Sequence, residues 1–217
     1  MIDESSSTQT ELVEESQSLE PIEYDKLTST IANRMDGCQA AVMSGTITPE
    51  GPVNFYFRCT QIARARGVMP VVDAKGILLL GALKARPALV KPNRAELAAT
   101  VGYELPDRQS IIRAMRECCE RGAERIVVTA GKDSSFAYDG KKVWETIPPV
   151  IQAVNPIGSG DAFTAGLVWR LLRGDELGEA CRWASSVAAA NALTLMPGEI
   201  WREDVDRLVR QVVLRQL

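Results

Sequence analysis

Short apolar runs alternate with helical stretches of roughly a dozen residues through the first half of this chain, and that alternation narrows the possible folds most. Ala40-Ala41-Val42-Met43, Val68 to Val72, Ala88 to Lys91 and Arg125 to Thr129 read as buried strands. Between and around them, Tyr24 to Met35, Val53 to Arg66, Ile77 to Ala85 and Ser110 to Glu120 read as helices, with Gly67 and Gly122 stopping two of them. The first helix carries Leu27, Ile31 and Met35 four apart, the spacing of one buried face. Strand–helix–strand units of this length imply a parallel sheet inside an α/β domain. Ser135 to Tyr138 and Lys142 to Glu145, joined through Asp139-Gly140, predict a hairpin. Ala162 to Leu172 is apolar almost all round and predicts a buried helix. Glu176 to Leu195 is Ala-rich, as close helix packing requires, and Glu203 to Leu217 predicts a surface helix of mixed charge. No internal repeat or interdomain linker is evident.

Composition removes several function classes. The chain has 217 residues and a net charge of −3. Its first 20 residues hold acids without a Lys or Arg, so the remainder is slightly basic, too weakly for a nucleic-acid surface. No apolar run approaches the roughly 20 residues of a membrane helix, and the acidic start is unlike a signal peptide. Five cysteines (Cys38, Cys59, Cys118, Cys119 and Cys181) without Cys-x-x-Cys spacing point to reduced thiols and a cytoplasmic location. Cys118 and Cys119, being adjacent, are the pair to check for redox sensitivity. The sequence contains no histidine, so Ser-His-Asp and Cys-His catalysis and His-based zinc sites are excluded. Chemistry must come from carboxylates, lysine, backbone amides or an oxygen-held metal.

Asn155-Pro-Ile-Gly-Ser-Gly-Asp-Ala-Phe-Thr-Ala-Gly-Leu-Val168 is the stretch richest in chemical information. Gly158 and Gly160 flank Ser159 and let main-chain N–H groups come close to a ligand. A helix begins there, and its unpaired N–H groups and dipole favour a phosphate. Asp161 falls in the first turn, beside that cradle, where a carboxylate can take a proton from an attacking hydroxyl. Taken alone, an aspartate at a helix start is usually an ordinary cap. Lys91-Pro-Asn-Arg-Ala-Glu-Leu97 is the second such stretch. Asn93 and Glu96 share one face of a first helical turn, where they can organise hydrated Mg²⁺ and its phosphates, or simply form a reciprocal cap. Ser44-Gly45-Thr46 ends a strand and reads on its own as a turn. A Walker-type Gly-x-x-x-x-Gly-Lys-Ser/Thr loop is missing, and Phe163 occupies the third glycine position of a dinucleotide fingerprint.

The two longer motifs, in this order, resemble the ribokinase-like (PfkB) carbohydrate kinases. Asn155 through Val168 is similar to that family's C-terminal signature without a gap, and Lys-Pro-Asn-x-x-Glu-Leu to its Asn-x-x-Glu motif. Asn-Pro in place of Asp-Thr resembles the branch acting on phosphorylated hexoses, the 1-phosphofructokinase and tagatose-6-phosphate kinase group. The resemblance implies a three-layer α-β-α fold with a largely parallel central sheet and a truncated lid. It also implies ATP and Mg²⁺ as cofactors and a small sugar phosphate as substrate, with neither nucleic acid nor membrane as partner. Asp161 is then the base, and Gly158, Ser159 and Gly160 form the anion hole. Lys91, Asn93, Thr129, Gly131, Asn155, Asn191, Leu193 and Met196 are the implied nucleotide contacts, and Glu96 is the water-mediated metal ligand. Gly45 and Thr46 replace part of a Ser-Gly-Ser-Leu-Pro-like sugar-phosphate loop, and Ser134 stands where the nucleotide turn has a second glycine.

By the same resemblance, Thr10-Glu11-Leu12-Val13 looks like the end of a lid, so that residues 1–20 are a lid remnant or acidic tail ahead of a nucleotide-binding domain at 21–217. The family's N-terminal part, with its sugar-binding Asp and Gly-Gly pair, would then be absent. This leads to the expectation of a chain that binds Mg·ATP but transfers phosphate poorly by itself, and of homo-oligomers formed through exposed lid or sheet edges. Against the kinase stands the alternative of a nucleotide-binding remnant or subunit that is not an enzyme.

Overall fold

A computed structural model describes residues 2–3, 8–9, 14 and 16–217. Ile2–Asp3 (β1) and Thr8–Gln9 (β2) pair antiparallel in a small sheet of their own. The lid-like stretch Thr10–Val13 lies outside the described residues. The main body follows the order α1 (Pro21–Arg34), β3 (Ala40–Ser44), α2 (Phe55–Ala65), β4 (Met69–Asp73), α3 (Gly76–Leu83), β5 (Leu89–Val90), α4 (Arg94–Val101), α5 (Arg108–Glu120), β6 (Ile126–Ala130), β7 (Asp133–Tyr138), β8 (Val143–Ile147), α6 (Ser159–Leu172), α7 (Leu177–Ala192), α8 (Arg202–Leu208) and β9 (Val213–Gln216).

Seven strands form one sheet in the order β3-β4-β5-β6-β7-β8-β9. Pairing is parallel from β3 to β6 and antiparallel from β6 to β9. Side-chain alternation explains why the central strands are apolar throughout. Val72, Val90, Ile126, Val128 and Phe136 face one layer, made with α1 to α5. Their neighbours Val71, Leu89, Val127 and Ala137 face the opposite layer, where Phe163 and Leu167 of α6 and Ala180 and Ala184 of α7 close over them. The result is the three-layer α/β arrangement expected from the alternating sequence.

Small residues set the spacing of the second layer. A Cβ on Gly166 of α6 would lie 3.1 Å from the Val187 side chain and 3.2 Å from Ala184 Cα, so the two helices touch nearly backbone to backbone. Gly178, at the start of α7, supports Trp144 of β8: an added Cβ would sit 2.6 Å from the indole Nε1 and 2.8 Å from Cγ. Because Trp144 is buried and cannot step aside, Gly178→Ala is expected to cost about 1–3 kcal/mol of stability. Urea unfolding would measure it, and an unchanged midpoint would show that the indole relocates freely.

One predicted element differs. Glu203 to Leu217 is not one helix: α8 ends at Leu208, and Val213–Gln216 becomes the edge strand β9, opposite Trp144 to Ile147. The β-branched pair Val212-Val213 favours an extended chain, and pairing with β8 adds ladder bonds that a surface helix would forgo. In α1 Tyr24 and Thr28 are buried, Ile31 packs against the core and Met35 is buried just past the helix end; of the three apolar positions spaced four apart only Leu27, 40% exposed, faces solvent. The predicted hairpin is present as β7 and β8, its turn held by Asp139 Oδ1 accepting from the Lys141 and Lys142 N–H groups at 2.9 and 2.7 Å.

All five cysteines are free thiols. Burial pushes Cys118 up to about 11 and Cys119 up to about 12, so neither of the adjacent pair is a thiolate at neutral pH. Among the described residues no helix is long and apolar enough to cross a membrane.

Candidate active site

The parallel strands bring their C-terminal ends to one edge of the sheet, the usual place for a ligand crevice in an α/β fold. Ser44 ends β3 in register with Asp73 at the end of β4. Lys91 follows β5, and Asn93 pairs with Thr129 near the end of β6. The start of α6 comes down onto the same edge, where Ser44 Oγ donates to Asp161 Oδ1 at 3.2 Å although the two are 117 positions apart. Together these groups line a cleft of about 270 Å³ that also takes in Gly45, Thr46, Glu96, Gly158 and Gly160.

Each wall has a local cause. Gly158 caps α6 with φ +79°, a left-handed conformation that side chains other than glycine rarely adopt. A Cβ there would also press to 3.0 Å from Pro197. Gly160 is different: its backbone is ordinary and an added Cβ would meet nothing within 4 Å, so the fold itself does not require glycine at this position. The space it leaves opens on the cleft. Ser159 N–H bonds Pro156 O and Ala162 N–H bonds Gly158 O, whereas the N–H groups of Gly160 and Asp161 have no chain acceptor among the described residues. Two adjacent free donors at the positive end of a 14-residue helix are an arrangement that can receive an anion.

Asn155 and Asn191 hold this loop from behind. Both are buried, and neither lines the cleft. Asn155 donates to Leu195 O at 2.8 Å and accepts from Ile157 N–H at 3.0 Å. Asn191 donates to Ile157 O at 2.9 Å and Ser159 Oγ at 3.1 Å, and accepts from Gly198 N–H at 2.7 Å. These bonds lock the anion loop to the turn after α7. Leu193 is half-buried in that turn and Met196 is exposed beside it. Gly131 lies in an adjoining hollow of about 480 Å³ that shares Asn93 and Thr129 with the cleft.

Asn93 and Glu96 do form the reciprocal cap: Asn93 Oδ1 accepts from Glu96 N–H at 2.9 Å, and Glu96 Oε2 accepts from Asn93 N–H at 2.8 Å. Both residues also line the cleft, so the cap and a place in the cleft wall coexist. Among the described residues no three Asp, Glu, Cys or His side chains gather into a metal cage. Mg²⁺ does not need one, since a carboxylate with waters and phosphates serves it.

Four cleft residues were not expected from the sequence: Ser44, Asp73, Ala74 and Lys75. Asp73 is the most telling. Lys91 Nζ lies 2.9 Å from its Oδ2, Thr164 Oγ1 donates to the same oxygen at 3.1 Å, and the lysine is only 4% exposed. Burial raises the Asp73 carboxyl above its ordinary value; Lys91 and Thr164 pull it back in part, and Glu96 adds to the rise. A charged residue directly after the apolar pair Val71-Val72, at the end of a parallel strand, was the available signal.

The profile of the pfkB family carbohydrate kinases matches residues 2–199. Tagatose-6-phosphate kinase of Staphylococcus epidermidis is 27% identical over 207 residues, covering 94% of this chain and 67% of that protein. Phosphofructokinase-2 of Escherichia coli superposes with a TM-score of 0.85 at 25% identity, over 95% of this chain and 67% of that one. A possible 1-phosphofructokinase from Thermotoga maritima shares the fold at a TM-score of 0.88 and 19% identity, over 100% of this chain and 69% of that one.

Proposed function

This chain belongs to the pfkB family of carbohydrate kinases, and from that premise we propose that it moves the γ-phosphate of ATP to a hydroxyl of a small sugar phosphate. The observation carrying this reading is the cleft itself, in which unpartnered N–H groups of α6 and the Asp161 carboxylate adjoin at the ends of four parallel strands. Asp161 accepts the hydroxyl proton as the acceptor oxygen attacks the γ-phosphorus, and the bond to ADP breaks on the far side. The Gly160 and Asp161 N–H groups meet the charge that builds on the transferred phosphate. Ser44 Oγ, bonded to Asp161, fixes the carboxylate's direction. Thr129, Gly131, Leu193 and Met196 border the nucleotide, and Gly45 and Thr46 border the acceptor.

Glu96, already oriented by Asn93, is the side chain that would hold Mg²⁺ through water, and the ion would screen the nucleotide phosphates from the cleft carboxylates. Calorimetric titration with Mg·ATP tests the nucleotide half of the proposal, with a dissociation constant below about 1 mM expected. Coupled ADP-release assays with fructose 6-phosphate, tagatose 6-phosphate and fructose 1-phosphate test the other half. Absence of heat with Mg·ATP, together with no ADP release, would overturn the reading.

A further inference from the structure

The charges in the cleft leave one group without an assignment. Its side chains include the carboxylates of Asp73, Glu96 and Asp161 and the amino groups of Lys75 and Lys91. Lys91 is buried against Asp73, so those two cancel within the protein. What is left to face a ligand is therefore the carboxyl groups of Glu96 and Asp161 and the amino group of Lys75. Lys75 is exposed, and among the described residues it takes part in no ion pair. It is not needed as a helix cap either: it precedes α3 with no side-chain bond to that helix, while the next residue, Gly76, donates its N–H to Thr100 Oγ1 at 2.8 Å. That bond anchors the backbone and leaves the amino group on a long stem beside the cleft.

Its place in the sheet says which ligand group it meets. Lys75 follows Asp73 at the end of β4, whose neighbour on the outer side is β3 with its Ser44-Gly45-Thr46 loop. The Gly45 N–H is already donated to Asp73 O at 3.1 Å, and the Tyr56 hydroxyl donates to Ser44 O at 2.9 Å, so this loop is stiff and offers a ligand mainly the neutral Thr46 hydroxyl. A neutral donor alone holds a phosphate weakly, whereas a charge-assisted bond is about twice as strong. The α6 amides serve the phosphate in transfer. A second phosphate, carried by the acceptor, would meet the repulsion of Glu96 and Asp161 unless a cation stood beside it.

Resting on the kinase reading above, we infer that Lys75 is the specificity residue for the acceptor's own phosphate, and that it makes this site select sugar phosphates over unphosphorylated sugars. The test is binding, measured by calorimetry on the full chain and on its Lys75→Ala and Lys75→Arg variants, with fructose 6-phosphate, fructose and Mg·ATP as separate titrants. Lys75→Ala is expected to weaken fructose 6-phosphate by about 10- to 100-fold, with Mg·ATP changed less than about twofold and Lys75→Arg recovering most of the loss. Fructose is expected to bind all three proteins equally poorly. Undiminished fructose 6-phosphate binding by Lys75→Ala overturns the inference, as does an equal loss for Mg·ATP, which would place the lysine on the transferred phosphate. A wild-type chain that binds Mg·ATP but not fructose 6-phosphate refutes the Lys75 assignment while the nucleotide reading stands; one that binds neither refutes both.

Discussion

Replacing Asp161 by Asn is expected to lower ATP turnover by about 10²–10⁴-fold, whether the acceptor is a sugar phosphate or water, while leaving Mg·ATP affinity within about twofold. Asparagine has nearly the same shape and keeps an oxygen that Ser44 Oγ can bond, so the start of α6 is retained. The amide cannot take a proton from the attacking hydroxyl. In the proposed mechanism the grip on the phosphate comes from backbone N–H groups, which this substitution does not touch. A base acts in the transition state and contributes little to ground-state binding, so kcat is expected to fall without a matching change in affinity. Initial rates of ADP release and calorimetry on the same preparations separate the two. Near wild-type kcat would reduce Asp161 to a helix cap.

The sequence made this residue visible because its chemistry is local. A glycine pair, an aspartate and an apolar run are contiguous, and what they build, a loop turning into a helix, needs no distant partner. The same holds for Asn93 and Glu96, whose cap spans three positions. Asp73 and Lys75 were harder to see. Their place in the cleft depends on β4 lying between β3 and β5, and strand order follows from packing that no single stretch encodes. Ser44 was noticed as part of a turn, yet its bond to Asp161 joins residues 117 positions apart. The β9 strand shows the same limit. Val213 to Gln216 is extended because β8 offers an open edge to pair with, and a reading confined to residues 203–217 has no access to that edge.

The buried Asp73–Lys91 pair leads to a result of comparable size in stability. Lys91→Met keeps the aliphatic stem but leaves the Asp73 carboxylate without its cation, in surroundings that leave its side chain only 13% exposed. Breaking a buried pair from one side costs about 3–5 kcal/mol, because the remaining charge must be ionised without compensation. The loss has a defined pH dependence. Burial already holds Asp73 above its ordinary value, and Lys91 is the largest influence opposing that rise, so the variant's carboxyl should titrate higher still. For a carboxyl raised in the folded state, the stabilising neutral form is fully present below the unfolded value of about 3.9 and is lost as pH climbs through the folded value. The deficit of Lys91→Met relative to wild type is therefore expected to be full near pH ~7.5 and to shrink toward pH ~4.5, as Asp73 takes up a proton. Asp73→Asn combined with Lys91→Met should recover most of the stability, since an amide bonded to Thr164 carries no charge to bury. Urea unfolding of the three proteins at both pH values decides the matter. A deficit of the same size at each pH, or a double variant no better than the single one, would mean that Lys91 stabilises the cleft by packing its stem and not by neutralising Asp73.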